Sequence, residues 1–220
     1  METEVAEAAN VLARLGLVTA YGHVSARDED AMLITPAGDL ARVTAAEVVS
    51  VPLAVTPPLP AGVPAEAWVH LALYRARPDA AAIARAQPVS GFAAAAATGP
   101  RGLVPLHGQA AWLGESIPVH DSAILLRSPE LAERAARLLA AGEALLLRGN
   151  GAITLGATPG LAVARMWVLA AACEPRVGAQ DCGHPAVGRR DRVMACRRRR
   201  TAPPALAAPA PPVTGRALRT

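Results

Sequence analysis

The segment Arg75–Pro88, RARPDAAAIARAQP, contains the end of a helix, a turn and the start of a buried strand. Upstream of this segment, apolar residues recur at the three- and four-residue spacing of a helix face: Trp68, Leu71, Ala72 and Tyr74. This spacing predicts a helix over about 66–77, which Pro78 and Asp79 end because proline cannot continue the helical hydrogen bonds. The apolar run 80–84 predicts a strand directly after the turn.

The remaining segments mix helical and extended patterns. Helices are predicted over about 2–15, 88–97, 128–141 and 158–173. Strands are predicted over about 31–35, 51–55, 117–119 and 144–147. A loop is predicted around His23, and Thr44 with Glu47 forms the pattern of a capping box. The order lacks a strict strand-helix-strand alternation, which favours an α/β sandwich with a largely antiparallel sheet.

Charge and proline content divide the chain at about residue 174. From Pro175 onward there are ten arginines, two acids and seven of the twenty prolines, without any hydrophobic period. This composition predicts a folded domain over 1–174 and a disordered tail over 175–220. The predicted domain holds twelve arginines and sixteen acids, so it is acidic. That balance argues against nucleic acid as a partner of the folded part, and the Arg197–Arg200 run is interpreted as solvated.

The chain contains no lysine. Imine-forming aldolases and pyridoxal-phosphate enzymes need a lysine amine as their nucleophile, so both classes are excluded for a protein that would use its own side chain.

Cysteine usage and hydropathy bear on the cellular compartment. The three cysteines show no close pairing, and the N-terminal residues read as an amphipathic helix rather than a secretory signal. No apolar run reaches the roughly twenty residues that a membrane-spanning helix needs. These features predict a cytoplasmic protein without a membrane partner.

Four short patterns follow one another within residues 5–174. They are Gly22-His23-Val24-Ser25-x-Arg27, Ile34-Thr35-Pro36-x-Gly38, Glu66 with His70 and Tyr74 ahead of Arg77-Pro78-Asp79, and ALLLRGNG at 144–151. In order and spacing they resemble the class II aldolase/adducin family. The resemblance implies a three-layer α/β/α sandwich with a central, largely antiparallel sheet. It also implies a small-molecule substrate and a homo-oligomer, commonly a tetramer with sites between subunits.

The sequence departs from the family at the metal site. Members that cleave or epimerise sugar phosphates hold zinc with three histidines, and the matching positions here are Arg85, Gln87 and Asn150. A guanidinium offers only N–H donors and would repel a divalent cation, and amides are weak oxygen ligands. The comparison therefore implies neither a metal nor a cofactor. Zinc bound by rearranged ligands, Glu66, His70 and His107, is an open alternative.

The phosphate site of these relatives is altered as well. Their loop asparagine corresponds to His23, and two serines correspond to Pro64 and Ala65, whereas the turn 35–38 is retained. Proline has neither an N–H group nor a hydroxyl, so phosphorylated sugars are disfavoured as substrates, although a protonated His23 could meet an anion. The residues assigned by resemblance to substrate binding are His23, Ser25, Thr35, Gly38, Gln87 and Asn150.

The candidates for catalysis are Glu66, His107 and Arg85. Glu66 matches the family's proton carrier, but here it would face Arg85, and a structural ion pair between them is an alternative. His107 lies in a loop that reaches the active site in several relatives, and imidazole exchanges protons near neutral pH; a packing or capping role is its alternative. His70 shares a helix face with Glu66 and is interpreted as structural.

A cation and two amides in place of three imidazoles favour a carboxylate or enolate oxygen as the ligand. The predicted function is a metal-independent lyase that performs aldol-type cleavage, decarboxylation or related enolate chemistry on a small carboxylated or carbonyl compound. Arg85 would anchor the anion, Gln87 and Asn150 would hold the enolate oxygen, and Glu66 or His107 would move the proton. The alternative is a catalytically inactive member that serves as a binding or assembly module.

Overall fold

A computed structural model describes the backbone of residues 1–18 and 21–181, and side chains as far as Pro175. The helices are α1 (Glu2–Arg14), α2 (Ala67–Ala76), α3 (Val89–Ala97), α4 (Pro129–Leu139) and α5 (Pro159–Asp181). The strands are β1 (His23–Asp28), β2 (Ala31–Ile34), β3 (Val49–Pro52), β4 (Ala82–Ala86), β5 (Val119–His120), β6 (Ala144–Leu147) and β7 (Gly151–Gly156). Short 3-10 helices cover Ala45–Glu47 and Gly108–Leu113.

All seven strands form one sheet in the order β3-β2-β1-β4-β7-β6-β5. Every neighbouring pair is antiparallel except β5 and β6, which are parallel. Buried residues of α1, α3 and α5 pack on one face, and those of α2 and α4 pack on the other. The predicted three-layer α/β/α sandwich with a largely antiparallel sheet is confirmed.

The alternation of side chains along β4 determines which layer receives its charged residue. Ala82, Ala84 and Ala86 belong to the core under α1 and α5, whereas Ile83 belongs to the core under α2 and α4. Successive strand residues point to opposite faces, so Arg85 lies on the face that carries α2. A central strand thus places a guanidinium beneath the start of that helix.

Several strand predictions need correction. β4 runs over Ala82–Ala86 rather than 80–84, since its ladder with β1 and β7 continues through Arg85, where the apolar run is broken. A strand, β1, begins at His23 in place of the predicted loop, because its polar side chains find partners inside the fold. β3 ends at Pro52, and β5 starts at Val119, while Ile117 forms an isolated bridge with Leu103. β7 was not predicted.

The last helix passes the predicted domain boundary. α5 continues through Pro175 to Asp181, whereas a disordered tail was predicted from Pro175. Proline fits the helical backbone angle and removes one hydrogen bond, so a helix can contain it at a cost. The rest of the predicted tail, including Cys182, Cys196 and the arginine run, lies outside the described residues.

Part of the resemblance motif is explained by packing. Arg27 on β1 donates to the main-chain oxygens of Ala80 at 3.1 Å and Arg77 at 3.2 Å, and also to that of Tyr74. Its guanidinium lies 5.0 Å from the centre of the Tyr74 ring. Arg27 therefore binds the C-terminal end of α2, where unpaired carbonyls favour a cation, and fixes this helix to the sheet.

None of the helices in the described part of the chain has the length and apolar character to cross a membrane.

Candidate functional site

A cleft of about 320 Å³ opens where β1 begins, at the end of the sheet that also holds Arg85. Four separate segments line it: Tyr21 to His23, the turn residues Ala37 and Gly38, Pro64 to Glu66 ahead of α2, and Arg127 ahead of α4. The volume is at the lower end of the range for small-molecule sites. Of the predicted site residues, Glu66, His23 and Gly38 therefore share one cavity.

Glu66 and Arg85 form a buried ion pair at this cleft. The Arg85 Nη2 atom lies 3.0 Å from Glu66 Oε1, and the side chains of Arg85 and Glu66 are 1% and 10% exposed respectively. Arg85 Nη1 donates to the Tyr21 oxygen at 3.3 Å. Burial lowers the pKa of Arg85, and the Glu66 carboxylate opposes this shift. The ion pair considered from the sequence is present, and Glu66 also lines the cleft.

His70 belongs to a buried polar chain behind the ion pair. Its Nδ1 lies 2.7 Å from Ser25 Oγ, which lies 2.8 Å from Tyr74 Oη. Burial, with the charge of Arg85 as the second cause, lowers the pKa of His70 to about 3. His70 is therefore neutral at pH 7, and its burial and its hydrogen bond with Ser25 agree with the structural interpretation.

His23 is buried next to His70, with their ring centres 5.9 Å apart in an edge-to-face arrangement. Burial lowers the pKa of His23 well below its usual value, and His70 and Arg85 act in the same direction. The ring is neutral at pH 7, so His23 does not supply the positive charge that was considered for it. Its Nδ1 atom has no hydrogen-bond partner within the described structure.

Two of the predicted substrate-binding hydroxyls are used inside the fold. Ser25 lies in the chain with His70 and Tyr74, and Thr35 Oγ1 accepts from the Val24 nitrogen at 3.2 Å. Both residues are fully buried. The turn therefore presents Ala37 and Gly38 to the cleft, and its side chains provide no donors there.

Gln87 and Asn150 lie at neighbouring strand ends but contact the backbone. Gln87 Oε1 accepts from the Tyr21 nitrogen at 3.4 Å. Asn150 Nδ2 donates to Ala123 at 3.0 Å and to Ile124 at 3.3 Å, which uses both of its N–H groups on carbonyl oxygens. In this arrangement Asn150 fixes the loop before α4, and an anion would have to displace those carbonyls to receive its N–H groups.

His107 lies elsewhere in the chain's own fold. It caps the 3-10 helix Gly108–Leu113, with Nδ1 accepting from the Ala110 nitrogen at 3.3 Å. Ala110 and Leu113 belong to the core beneath α5, whereas Arg85 lies on the opposite face of the sheet. Within one copy of the chain, the structure does not bring His107 together with Glu66 and Arg85.

Arg127 is the cleft residue that the sequence analysis missed. It stands in the connection between β5 and α4, just ahead of Ser128, whose side chain caps α4. It is close enough to Arg85 for its charge to help lower the Arg85 pKa. None of the four patterns quoted from the sequence includes this position, so an exposed arginine before a helix cap carried no recognisable signal.

The donor chemistry of the site can be compared with the needs of zinc, the metal whose three histidine positions are occupied here by Arg85, Gln87 and Asn150. Zinc in proteins is held by thiolate, imidazole or carboxylate groups. Here Arg85 supplies a cation, and Asn150 turns its amide towards carbonyls. Among the side chains that the structure describes, those of residues 1–18 and 21–175, no three His, Cys, Asp or Glu residues form a group that could hold a metal ion. The residues present therefore do not fit zinc, and Glu66, His70 and His107 do not form an alternative ligand set.

Comparison with known proteins identifies the architecture. The family model for the Class II Aldolase and Adducin N-terminal domain matches residues 3–177. The crystal structure of L-fuculose-1-phosphate aldolase from Thermus thermophilus is 27% identical, with a TM-score of 0.72 over 84% of this chain and 99% of that chain. The sugar-phosphate aldolase from Thermotoga maritima, at 18% identity, has a TM-score of 0.71 over 85% of this chain and 97% of that chain, which shows the shared fold. No curated protein matched. The chain belongs to the class II aldolase/adducin family.

Proposed function

We propose that this protein is a carbon–carbon lyase that works without a metal on a small carbonyl compound. The observation that carries the proposal is that Glu66, in the position of the family's proton carrier, lines a small cleft while Arg85 holds one of its oxygens. A carboxylate with one fixed and one available oxygen has a defined orientation, which a general base requires.

The proposed step is aldol cleavage of a compound with a hydroxyl group β to a carbonyl. Glu66 removes the hydroxyl proton, the C–C bond breaks, and the carbon that bore the hydroxyl becomes an aldehyde or ketone carbonyl. The electron pair of the broken bond passes to the other fragment as an enolate. Protonated Glu66 then returns its proton to the enolate carbon, so no oxidant, reductant or other reactant is needed.

Arg85 serves as a positioning residue and as a source of positive potential. Its guanidinium is permanently charged, and burial strengthens its field at the developing enolate oxygen. Gln87 and Asn150 act through the backbone, since they hold Tyr21 and the 123–124 segment in place. His107 remains a predicted proton donor. Because it lies away from the cleft of its own copy, it would have to act at the cleft of a neighbouring copy.

A screen for turnover tests the proposal. Hydroxy ketones and hydroxy-oxo acids would be incubated with the protein in the presence of a strong chelator, and release of aldehyde would be measured. Cleavage should persist in chelator and should be lost in Glu66→Gln, because the amide cannot take the proton. The introduced glutamine can still accept a hydrogen bond from Arg85, and a matched thermal unfolding curve would verify that the variant folds.

A matched control is Glu133→Gln, which removes an exposed carboxylate on α4 that pairs with Arg137. This control should retain full turnover. The proposal would be contradicted if wild type lost its turnover on addition of chelator, or if Glu66→Gln kept normal turnover.

A second candidate function is a catalytically inactive binding or assembly module. It is favoured by the same ion pair, because Arg85 already neutralises Glu66, and by Asn150, whose N–H groups are used internally. This candidate requires that no member of the screen is cleaved and that substitutions at Gln87 and Asn150 leave partner binding unchanged.

We further place the protein in the cytoplasm. We also propose that it is a homo-oligomer, a tetramer by resemblance, and light scattering of the purified protein would test this oligomeric state.

A further inference from the structure

We propose that Arg127 determines substrate specificity by pairing with a carboxylate, so that the cleft selects small 2-oxo acids and their aldol adducts. This inference rests on the proposed function for the cleavage step, but the binding that it describes can be measured without turnover.

The charge balance of the cleft leaves Arg127 uncompensated. Glu66 and Arg85 neutralise each other at 3.0 Å. Arg127 is exposed and lines the same cavity, and its side chain has no hydrogen-bond or ion-pair partner in the part of the chain that the structure describes. The cavity therefore carries one surplus positive charge, which attracts an anion.

Some other arginines of this domain make structural contacts. Arg77 pairs with Asp79 at 2.7 Å and donates to Gly142 at 2.9 Å, and Arg165 pairs with Glu143 at 2.8 Å. The charge of Arg127 is one of the smaller causes that lower the pKa of buried Arg85, so the two guanidinium groups repel each other. A bound anion would remove that repulsion.

The backbone at Arg127 is held by the residues on both sides of it, whereas its exposed side chain lines the cleft. Leu126 is buried, and Ser128 caps α4 by accepting from the Leu131 nitrogen at 3.4 Å. Asn150 holds Ala123 and Ile124 a few residues earlier. This backbone is pre-organised, so less freedom is lost when the guanidinium binds a ligand.

The chemistry of the walls favours a carboxylate over a phosphate. Pro64, Ala65 and Ala37 offer no side-chain donors, and the Thr35 hydroxyl is used inside the fold. His23 is neutral at pH 7. A phosphate dianion needs several donors around it, whereas a single guanidinium matches a planar carboxylate with two parallel hydrogen bonds.

A 2-oxo acid places both required groups within a small molecule. Its carboxylate would pair with Arg127, and the adjacent carbonyl would become the enolate when the C–C bond breaks. The hydroxyl of the aldol adduct, on the carbon β to that carbonyl, would then be the group that faces Glu66.

Thermal unfolding of the full chain with defined probes tests the inference. The probes are pyruvate, its neutral analogue pyruvamide, and inorganic phosphate, each titrated against wild type, Arg127→Met and the control Arg134→Met. Arg134 is also an exposed arginine, on α4, but it does not line the cleft. Pyruvate should raise the Tm of wild type and of the control, and its apparent Kd should weaken about ten- to a hundredfold in Arg127→Met.

The neutral analogue and phosphate should produce much smaller shifts. The inference is overturned if pyruvate does not stabilise wild type, if Arg127→Met keeps the full pyruvate shift, or if phosphate stabilises as strongly as pyruvate. Its failure is distinct from that of the proposed function. If pyruvate raises the Tm in a way that depends on Arg127, but no hydroxy-oxo acid releases an aldehyde, the carboxylate specificity of Arg127 stands and the proposed lyase activity is wrong.

Discussion

At the scale of single residues, the site is defined by a buried guanidinium beside a carboxylate. Isolated burial of either charge would cost several kcal/mol, but the two charges compensate each other through a direct hydrogen bond. Arg85 therefore supplies a covalently attached cation beside Glu66. A guanidinium offers a positive charge and N–H donors, but it cannot accept a lone pair as a Lewis acid does.

The ion pair gives the first prediction. Arg85→Met should destabilise the protein by about 3–5 kcal/mol, because Glu66 would be left as a buried unpaired charge. The double variant Glu66→Gln with Arg85→Met should recover much of that loss, since neither charge remains. Urea unfolding of both single variants and the double variant provides the measurement. Strictly additive losses would show that the two side chains do not interact in solution.

The buried histidines give a prediction about pH. The pKa of His70 is about 3 in the folded protein and near 6.5 when the chain is unfolded, so between these values the unfolded state binds more protons. Stability is therefore fully present above pH 6.5 and falls as the pH decreases towards 3. His70 adds a slope of up to about 1.4 kcal/mol per pH unit between these values. The lowered pKa of His23 acts in the same direction.

His70→Asn tests this dependence, because asparagine retains a polar group near Nδ1 for the hydrogen bond with Ser25. The free energy of unfolding, measured by denaturant at intervals between pH 4 and pH 7, should fall less steeply in the variant than in wild type. Equal slopes would mean that His70 is protonated in the folded state.

At the scale of elements, the junction between β4 and β7 depends on one glycine. Gly151 opens β7 with a φ of +93°, and a Cβ atom there would lie 2.1 Å from the Ala86 oxygen. The close approach brings the end of β7 against β4 next to Gln87. Only glycine fits both the backbone angle and the space.

Gly151→Ala should therefore lower the Tm strongly. The backbone strain alone costs roughly 1–3 kcal/mol, and the contact with Ala86 adds to it. Gly160, at the start of α5, is the matched control, since a Cβ there meets nothing within 4 Å. Gly160→Ala should be neutral or stabilising by about 0.4–1 kcal/mol. Calorimetry of both variants decides, and an equal effect at the two positions would refute this account of the junction.

The elements also show where sequence reasoning succeeds. α2 and its stop at Arg77-Pro78-Asp79 were predictable because helical periodicity and proline act locally. The capping box of Thr44 and Glu47 was predictable for the same reason. β7 was missed because it is enclosed by glycines, and its strand character comes from pairing with β4 and β6. The offset of β4 has the same cause, since its register is set by neighbours that are distant in sequence.

Within the site, sequence-based prediction again fails where a side chain depends on residues that are distant along the chain. The partnership of Glu66 and Arg85 followed from the family pattern, but the direction of the Asn150 amide depends on the 123–124 carbonyls, which no local pattern specifies. Arg127 enters the cleft through the packing of α4 against α2, and nothing in its immediate sequence indicates this.

At the scale of the whole molecule, one sheet separates two cores and leaves the cleft on the α2 and α4 side. His107 lies on the other side within the same copy. A contribution from His107 therefore requires a second copy of the chain, so catalysis by it and oligomerisation would be lost together on dilution. In contrast, Glu66, Arg85 and Arg127 all come from one copy.

Elemental analysis of the purified protein, after incubation with zinc and gel filtration, tests most directly whether an internal ion pair has replaced the metal. Wild type should contain no stoichiometric zinc, and its Tm should be unchanged by zinc or by chelator, because the Arg85 guanidinium already lies 3.0 Å from the Glu66 carboxylate. Stoichiometric zinc that is lost in Glu66→Gln would contradict the account.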